Sequence, residues 1–225
     1  TTGWNNSAMG ASALASNTTG TLNSAMGTSA LRNNTTGSYN SAMGAYALYS
    51  NTDGYHNSAM GAYALYSNTT GDYNSAMGYN AGRYISGGSV ANATSTNSVY
   101  LGYDTRALAS GDTNEIVIGA STTGFGSNTA AYGNSSMTKH IFQKGNVGIG
   151  TTSPDSTLEL AGSNAALSLN ENTATPATPA SGAEARIYMK ADKLIIQYND
   201  AGTVRYKYLT LTGTGVTWTH TTTAP

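Results

Sequence analysis

The chain has 225 residues, no cysteine, 27 glycines and a formal net charge of −1, and only 9% of its residues are charged. Charged residues normally make up about a quarter of a soluble domain, so Ser, Thr, Asn and Tyr must hydrate this surface. The lack of cysteine excludes disulfides and thiolate metal sites. The low charge and the short apolar runs argue against a nucleic-acid partner and against membrane insertion.

A 17-residue unit recurs from residue 6 to residue 78, as in NSAMGAYALYSNTDGYH from Asn40 to His56. A short, regular period indicates stacked identical units. Asn-Thr-Thr-Gly is typical of turns, and the Gly that follows each Met interrupts any helix. Each unit is therefore expected to form strand, corner, strand and turn. Two or three strands of about four residues would then make one coil of a β-solenoid.

In-register stacking produces a row of like residues, or ladder, at every position of the unit, with about 4.8 Å between coils. The asparagine ladders are expected to bond amide to amide. Ala and Met alternate, as do Ala and Leu, so their ladders are expected to point to opposite faces. The predicted structural ladders are Asn6, Asn23, Asn40, Asn57 and Asn74; Met9, Met26, Met43, Met60 and Met77; and Leu14, Leu31, Leu48 and Leu65.

One apolar face of each coil lines its interior, which leaves the other apolar face exposed to water. A soluble protein avoids a continuous exposed apolar stripe unless another surface covers it. The pattern therefore predicts self-association, most simply as a homotrimer around an axis parallel to the stack.

Four tyrosines occupy the same two positions in successive coils, where earlier coils carry Ser, Ala or Arg. A core position would not accept such different side chains, so this face is predicted to be exposed. Exposed aromatic rows suit stacking on sugars or contact with another protein. The alternative is cross-strand packing that stiffens the roll. The candidate receptor contacts are Tyr46, Tyr49, Tyr63 and Tyr66.

The chain divides into four parts by pattern. Residues 1–78 hold the regular β-roll repeats, and residues 79–134 keep Asn-opened, Gly-closed strands without the regular period, which predicts irregular coils. Residues 135–163 are expected to form a neck with strands at 139–144 and 145–154, while 157–161 runs beside a copy of itself. Residues 164–225 predict a small antiparallel β domain, with strands over 165–169, 185–190, 193–199, 203–212 and 216–220.

No catalytic, cofactor or metal site is predicted. The three histidines are scattered, which favours surface or interface positions. Asp104, Asp112 and Glu115 lie close in sequence, but no calcium-binding loop surrounds them, so solvated loop carboxylates are favoured. The glycine-rich stretch from Gly145 to Gly150 precedes no helical pattern and favours a strand over a phosphate loop. We therefore expect a protein that is not an enzyme.

The repeat resembles those of trimeric phage tail-fibre proteins, as Asn40-Ser-Ala-Met-Gly-Ala-Tyr-Ala-Leu-Tyr-Ser-Asn-Thr-Asp-Gly54 illustrates. The segment from Asn146 to Pro154, followed by Thr157-Leu-Glu-Leu-Ala161, is similar to the linker that precedes the intramolecular chaperone domain of such fibres. The coils also resemble the head repeats of trimeric autotransporter adhesins, which implies a left-handed parallel β-roll in three chains. The resemblance covers about residues 5–163.

The resemblance implies a structural and adhesive fibre segment on a virion surface, which projects from a phage particle and contacts a glycan or protein receptor of the host. A bacterial surface adhesin or extracellular filament subunit is the main alternative. An ice-binding solenoid and a polysaccharide-degrading spike are further alternatives. Function as a fibre would come from shape and from weak contacts summed over three chains. The opening residues have mid-repeat character, so we expect further sequence upstream.

Overall fold

The computed structural model describes residues 2–141, 145, 147–149, 151–156, 158–160, 185–190, 193–200, 203–210 and 217–222. The chain divides into two compact units, Thr1–His140 and Ile141–Pro225. Every regular element in the described part of the chain is a β-strand, which confirms the all-β prediction.

A single parallel sheet of eight short strands runs along the first unit, with the strands in chain order. Neighbouring strands pair in register, so Ala25 lies between Ala8 and Ala42. This pairing confirms the predicted parallel β-solenoid. The strands are β1 Ser7–Met9, β2 Ser24–Met26, β3 Ser41–Met43, β4 Ser58–Met60, β5 Ser75–Met77, β6 Val99–Leu101, β7 Ile116–Ile118 and β8 Ala130–Tyr132.

Each regular coil contains one strand of three residues, so the prediction of two or three longer strands is wrong. The glycine after each methionine ends the strand with a positive φ, which is 138° at Gly44. A Cβ on Gly44 would lie 2.6 Å from the carbonyl oxygen of Gly61 in the next coil. Glycine is required at this position because adjacent coils meet there backbone to backbone.

The residues that follow each strand form a turn in which bulky side chains adopt left-handed backbone angles. Tyr46 has a φ of 60° and Leu48 has a φ of 50°. Such angles cost about 1–2 kcal/mol per residue. Hydrogen bonds to the adjacent coils offset this cost. The Leu48 amide donates to the Ala64 carbonyl over 3.0 Å, and the Leu31 amide donates to the Ala47 carbonyl over 3.0 Å.

The left-handed turn changes which side chains point inward. Ala47 and Leu48 are both fully buried, so the prediction that the Ala and Leu ladders point to opposite faces is wrong. Strict alternation applies to extended backbone, whereas these residues lie in a turn. In the strands the alternation is observed, since Ala42 is buried and Met43 is 44% exposed.

Two asparagine ladders fill the interior beside the apolar residues, and their amides are bonded from coil to coil. Asn51 is fully buried, and its Nδ2 donates to Oδ1 of Asn34 over 2.8 Å and to the Gly54 carbonyl over 2.9 Å. Its own Oδ1 accepts a bond of 2.9 Å from Nδ2 of Asn68. Nδ2 of Asn40 donates to the same Gly54 carbonyl over 2.7 Å. Buried turn carbonyls therefore find their donors within the chain.

The irregular coils keep the core filled by exchanging large and small residues. The alanine in the middle of each earlier strand is replaced by Tyr100 in β6, and Tyr100 is fully buried. The leucine of the preceding turn is replaced by Gly82, where a Cβ would lie 2.6 Å from the Tyr100 ring. Asn92 donates from Nδ2 to the Tyr100 hydroxyl over 3.3 Å. The exchange conserves volume, because a close-packed core accepts neither overlap nor a void.

The described residues of the second unit form two small sheets. β9 (Val147–Ile149) pairs in parallel with β10 (Leu158–Leu160). β11 (Ala185–Lys190), β12 (Lys193–Asp200), β13 (Thr203–Thr210) and β14 (Thr217–Thr221) form an antiparallel meander in chain order. The meander confirms the predicted C-terminal antiparallel sheet, in which Ile195 and Tyr206 form a small buried cluster.

Some details of the second half of the chain differ from the expectations. β10 pairs with β9 of the same chain, and pairing of this strand with a copy of itself in another chain stays a prediction. Residues 139–141 belong to no strand, because the solenoid sheet has already ended at Tyr132 and no neighbouring strand pairs with them. Residues 142–144 and the predicted strand at 165–169 lie outside the described residues. The four-part division of the chain stays a prediction.

Replacing Asn51 by Ala tests whether the asparagine ladder holds the coils together. The change removes both bonds that Nδ2 donates and leaves the buried Oδ1 of Asn34 without this donor. We expect a loss of about 2–4 kcal/mol in the free energy of unfolding, measured by denaturant titration followed by circular dichroism. The control is Asn33→Ala, at a half-buried position where other coils carry Ser. Equal losses in the two variants would contradict the role of the ladder.

Candidate functional site

The candidate receptor tyrosines form two stacked pairs. Tyr46 and Tyr63 are parallel, with ring centroids 5.2 Å apart, and Tyr49 and Tyr66 are parallel at 5.0 Å. The pairs also contact each other, since the Tyr63 and Tyr66 rings are tilted at 5.6 Å. All four side chains are partly buried, so the prediction of an exposed face is wrong. The coil spacing brings the rings close enough to cover one another.

Arginine residues flank the row formed by Tyr49 and Tyr66. The Arg83 guanidinium lies 4.4 Å from the Tyr66 ring centroid and 4.7 Å from that of Tyr63. At the other end, Arg32 lies 5.9 Å from the Tyr49 centroid and donates from Nη1 to the Tyr49 hydroxyl over 3.3 Å. Cation–π contacts at exposed sites contribute about 0.5–1 kcal/mol. This arrangement favours the stiffening role for these tyrosines, and their role as receptor contacts stays a prediction.

A second aromatic group, which the sequence analysis did not single out, lies just before the regular strands. We refer to this group as the turn cluster; it consists of Tyr39, Tyr55, His56 and Tyr73. The His56 ring lies parallel between Tyr39 and Tyr73, with centroids 4.6 and 5.0 Å away. Tyr39, Tyr55 and Tyr73 are 53%, 41% and 51% exposed. The signal that could have found the group is the 17-residue spacing of Tyr39, His56 and Tyr73.

Tyr55 lies across the edges of this stack. Its centroid is 5.6 Å from that of His56 and 5.3 Å from that of Tyr73, and its plane makes angles of 76° and 78° with theirs. Tyr55 is therefore stacked face to face on neither of these two rings, and 41% of its surface is exposed. Oδ1 of Asp72 accepts the Tyr55 amide over 2.9 Å. The Asp72 carboxylate, and after it Tyr73, raises the pKa of the Tyr55 hydroxyl.

The outer side of the parallel sheet carries a strip of exposed apolar side chains. The five ladder methionines are 43–65% exposed in the single chain. Beside Met60, Met77 and Leu101 the strip contains a shallow pocket of about 310 Å³, where the last regular strand meets the first irregular one. The apolar strip consists of Met9, Met26, Met43, Met60, Met77, Leu101, Ile118 and Tyr132, of which Ile118 is half-buried.

The three carboxylates considered as a cation site are engaged separately. Asp104 forms an ion pair with Arg106. Asp112 accepts the Ala109 amide over 2.7 Å, and Glu115 is buried in the core. Within the described ranges, no three acidic, histidine or cysteine side chains lie close enough together to hold a metal ion.

Glu115 is fully buried within the irregular coils. Its Oε1 accepts the Gly126 amide over 2.8 Å, whereas Oε2 has no hydrogen-bond partner among the residues that the structure describes. Burial raises the pKa of Glu115 above its ordinary value of 4.5, and repulsion from Asp112 acts in the same direction. The sequence predicts a solvated carboxylate at Glu115, and that prediction is wrong because the coil directs the side chain into the core.

No protein-family model, curated protein or solved structure matches this chain. No helix in the described part of the chain has the length and hydropathy needed to cross a bilayer. Function must therefore be argued from the surfaces themselves.

Glu115→Gln is expected to remove a pH dependence of stability. The folded state holds the Glu115 proton more tightly than the unfolded state, so the carboxyl's contribution is complete below pH 4.5 and is lost as the pH rises through the folded pKa. Thermal melting from pH 4 to pH 8 should show the wild type losing stability relative to the variant. Asp53→Asn, at an exposed carboxylate, is the control. Parallel melting curves for wild type and Glu115→Gln would contradict the assignment.

Tyr66→Ser should destabilise the solenoid by about 1–2 kcal/mol, because the ring packs on Tyr49 and under the Arg83 guanidinium. Tyr103→Ser is the control, since Tyr103 is 57% exposed and its ring stacks on Tyr79 at the longer centroid distance of 5.7 Å. Denaturation midpoints of the two variants supply the comparison. If the denaturation midpoint of Tyr66→Ser were no lower than that of Tyr103→Ser, the stiffening role of the tyrosine rows would be contradicted.

Proposed function

We propose that this chain is a structural and adhesive fibre segment that forms a homotrimer, projects from a viral (phage) particle and contacts a host surface without performing chemistry. The observation that carries the proposal is the apolar strip, which runs along the whole parallel sheet of a single chain and is exposed except at the half-buried Ile118. Eight strands at about 4.8 Å give the strip a length of roughly 34 Å.

Three copies around an axis parallel to the stack would cover the strip. Each regular coil offers one bulky apolar side chain, such as Met43, and the outward residue before it is Ser41. Three chains would place three methionines in each layer around the axis, whereas two chains would leave the flanks of each methionine open. Burying the exposed half of a methionine contributes about 1 kcal/mol. Summed over the ladder in three chains, this gain supports a permanent assembly.

The solenoid also suits a projecting part. Its coils bond to one another through their backbones and their buried asparagines, so length increases with coil number while the cross-section stays constant. The regular repeats carry few charges, and host contact would depend on shape and on exposed aromatic side chains repeated in three chains. A bacterial surface adhesin built from the same coils would present the same strip.

Met43→Asp tests the trimer. The wild type is expected to have about three times the chain mass of 23.0 kDa, measured by mass photometry at nanomolar and light scattering at micromolar concentration. A carboxylate buried in a dry methionine layer costs several kcal/mol, so the variant should dissociate or fail to assemble. Thr19→Asp is the control, because Thr19 is exposed and Asp53 occupies the equivalent position two coils later. A monomeric wild type at micromolar concentration would overturn the proposal.

A further inference from the structure

The rings of the turn cluster are more accessible to a ligand than those of the half-buried tyrosine rows. In the rows, and in the stack of Tyr39, His56 and Tyr73, neighbouring rings occupy one another's faces. Tyr55 alone in the cluster is nearly perpendicular to its ring neighbours, so no ring of the cluster stacks parallel on it, and it is 41% exposed. An exposed aromatic ring without a parallel neighbour is the feature on which the C–H face of a sugar ring can stack.

We infer that Tyr55, with the Asp72 carboxylate beside it, forms a subsite for an uncharged sugar ring of a host-surface glycan. The inference rests on the proposed host contact, and it moves that contact from the half-buried tyrosine rows to the turn cluster.

Charge decides the class of sugar. Between residues 33 and 82 the sequence contains Asp53 and Asp72 but no lysine or arginine. Asp72 is fixed beside Tyr55 by the 2.9 Å bond that its Oδ1 accepts from the Tyr55 amide. Carboxylate oxygens accept hydrogen bonds from sugar hydroxyls and repel anionic groups. The subsite therefore favours neutral glycans over sialylated or phosphorylated ones.

The backbone holds the platform in place before any ligand binds. Tyr39, His56 and Tyr73 have φ angles of 60°, 55° and 57°. Their amides donate to carbonyls of the preceding coil, and the Tyr73 amide bonds to the Tyr55 carbonyl over 3.1 Å. A platform ordered in advance loses little conformational entropy on binding, which favours even a single weak stacking contact.

A glycan array tests the inference with the full chain. The array carries neutral hexose and N-acetylhexosamine oligosaccharides together with sialylated and phosphorylated counterparts. We expect the wild type to retain neutral glycans, and calorimetry with the retained oligosaccharide should show at least tenfold weaker binding by Tyr55→Ser. Serine is native-like here, since Ser38 occupies the position in the preceding coil. Tyr103→Ser, which removes an exposed ring outside the cluster, should bind as the wild type does.

Asp72→Asn supplies a second readout. The amide keeps an Oδ1 that can accept the Tyr55 N–H, so the platform should remain in place while the negative charge is lost. We expect this variant to discriminate less between neutral and sialylated glycans. Unchanged discrimination would overturn the role of Asp72.

Three other results would overturn the subsite: no neutral glycan retained by the wild type, a preference of the wild type for acidic glycans, or wild-type affinity in a folded Tyr55→Ser. Loss of the trimer in Tyr55→Ser would show that the turn cluster is a contact between subunits, and this result would also overturn the glycan subsite. A monomeric wild type that still binds neutral glycans would contradict the trimer alone, so the two proposals fail separately.

Discussion

The register of one coil on the next governs the regular coils, because the amides of their buried asparagines bond to the equivalent residues of neighbouring coils. Asn51 bonds to Asn34 below, to Asn68 above and to the turn carbonyl of its own coil. A slip of one residue would leave several buried amides unpaired at once, each at a cost of about 1–3 kcal/mol. The ladder therefore fixes the stacking more strongly than apolar contacts, which are tolerant of register, could do.

The stacking of the coils offsets backbone strain in the turn of each coil. A turn that places Tyr46 and Leu48 in the left-handed region is unfavourable in isolation. In the stack the same turn directs Ala47 and Leu48 inward together and bonds its backbone to the coils on both sides. Because each coil supports its neighbours, a single coil would not be stable, and the structure is cooperative along its axis.

Outward positions are free to vary from coil to coil, and this freedom creates distinct surfaces on one scaffold. One row of the turn becomes an arginine-flanked double stack of tyrosines, and another becomes the more exposed turn cluster. The sheet face keeps a bulky apolar side chain in every coil, from Met9 to Tyr132. Where tyrosines of adjacent coils are close enough to stack, their rings cover one another. The number of tyrosines is therefore a poor guide to the aromatic surface that a ligand can contact.

The sequence by itself determined the stacking, the 17-residue register, the methionine strip and the C-terminal meander, because each follows from periodicity or from strict alternation. It did not determine the single three-residue strand per coil or the inward direction of both Ala47 and Leu48, since those depend on left-handed angles that non-glycine residues adopt only when neighbouring coils stabilise them. Nor could it show that Tyr46 and Tyr49 are half-buried and stacked while Tyr55 is exposed and has no ring of the cluster stacked parallel on it. Which face of a ring remains free depends on ring orientations between coils, and only the tertiary structure decides those.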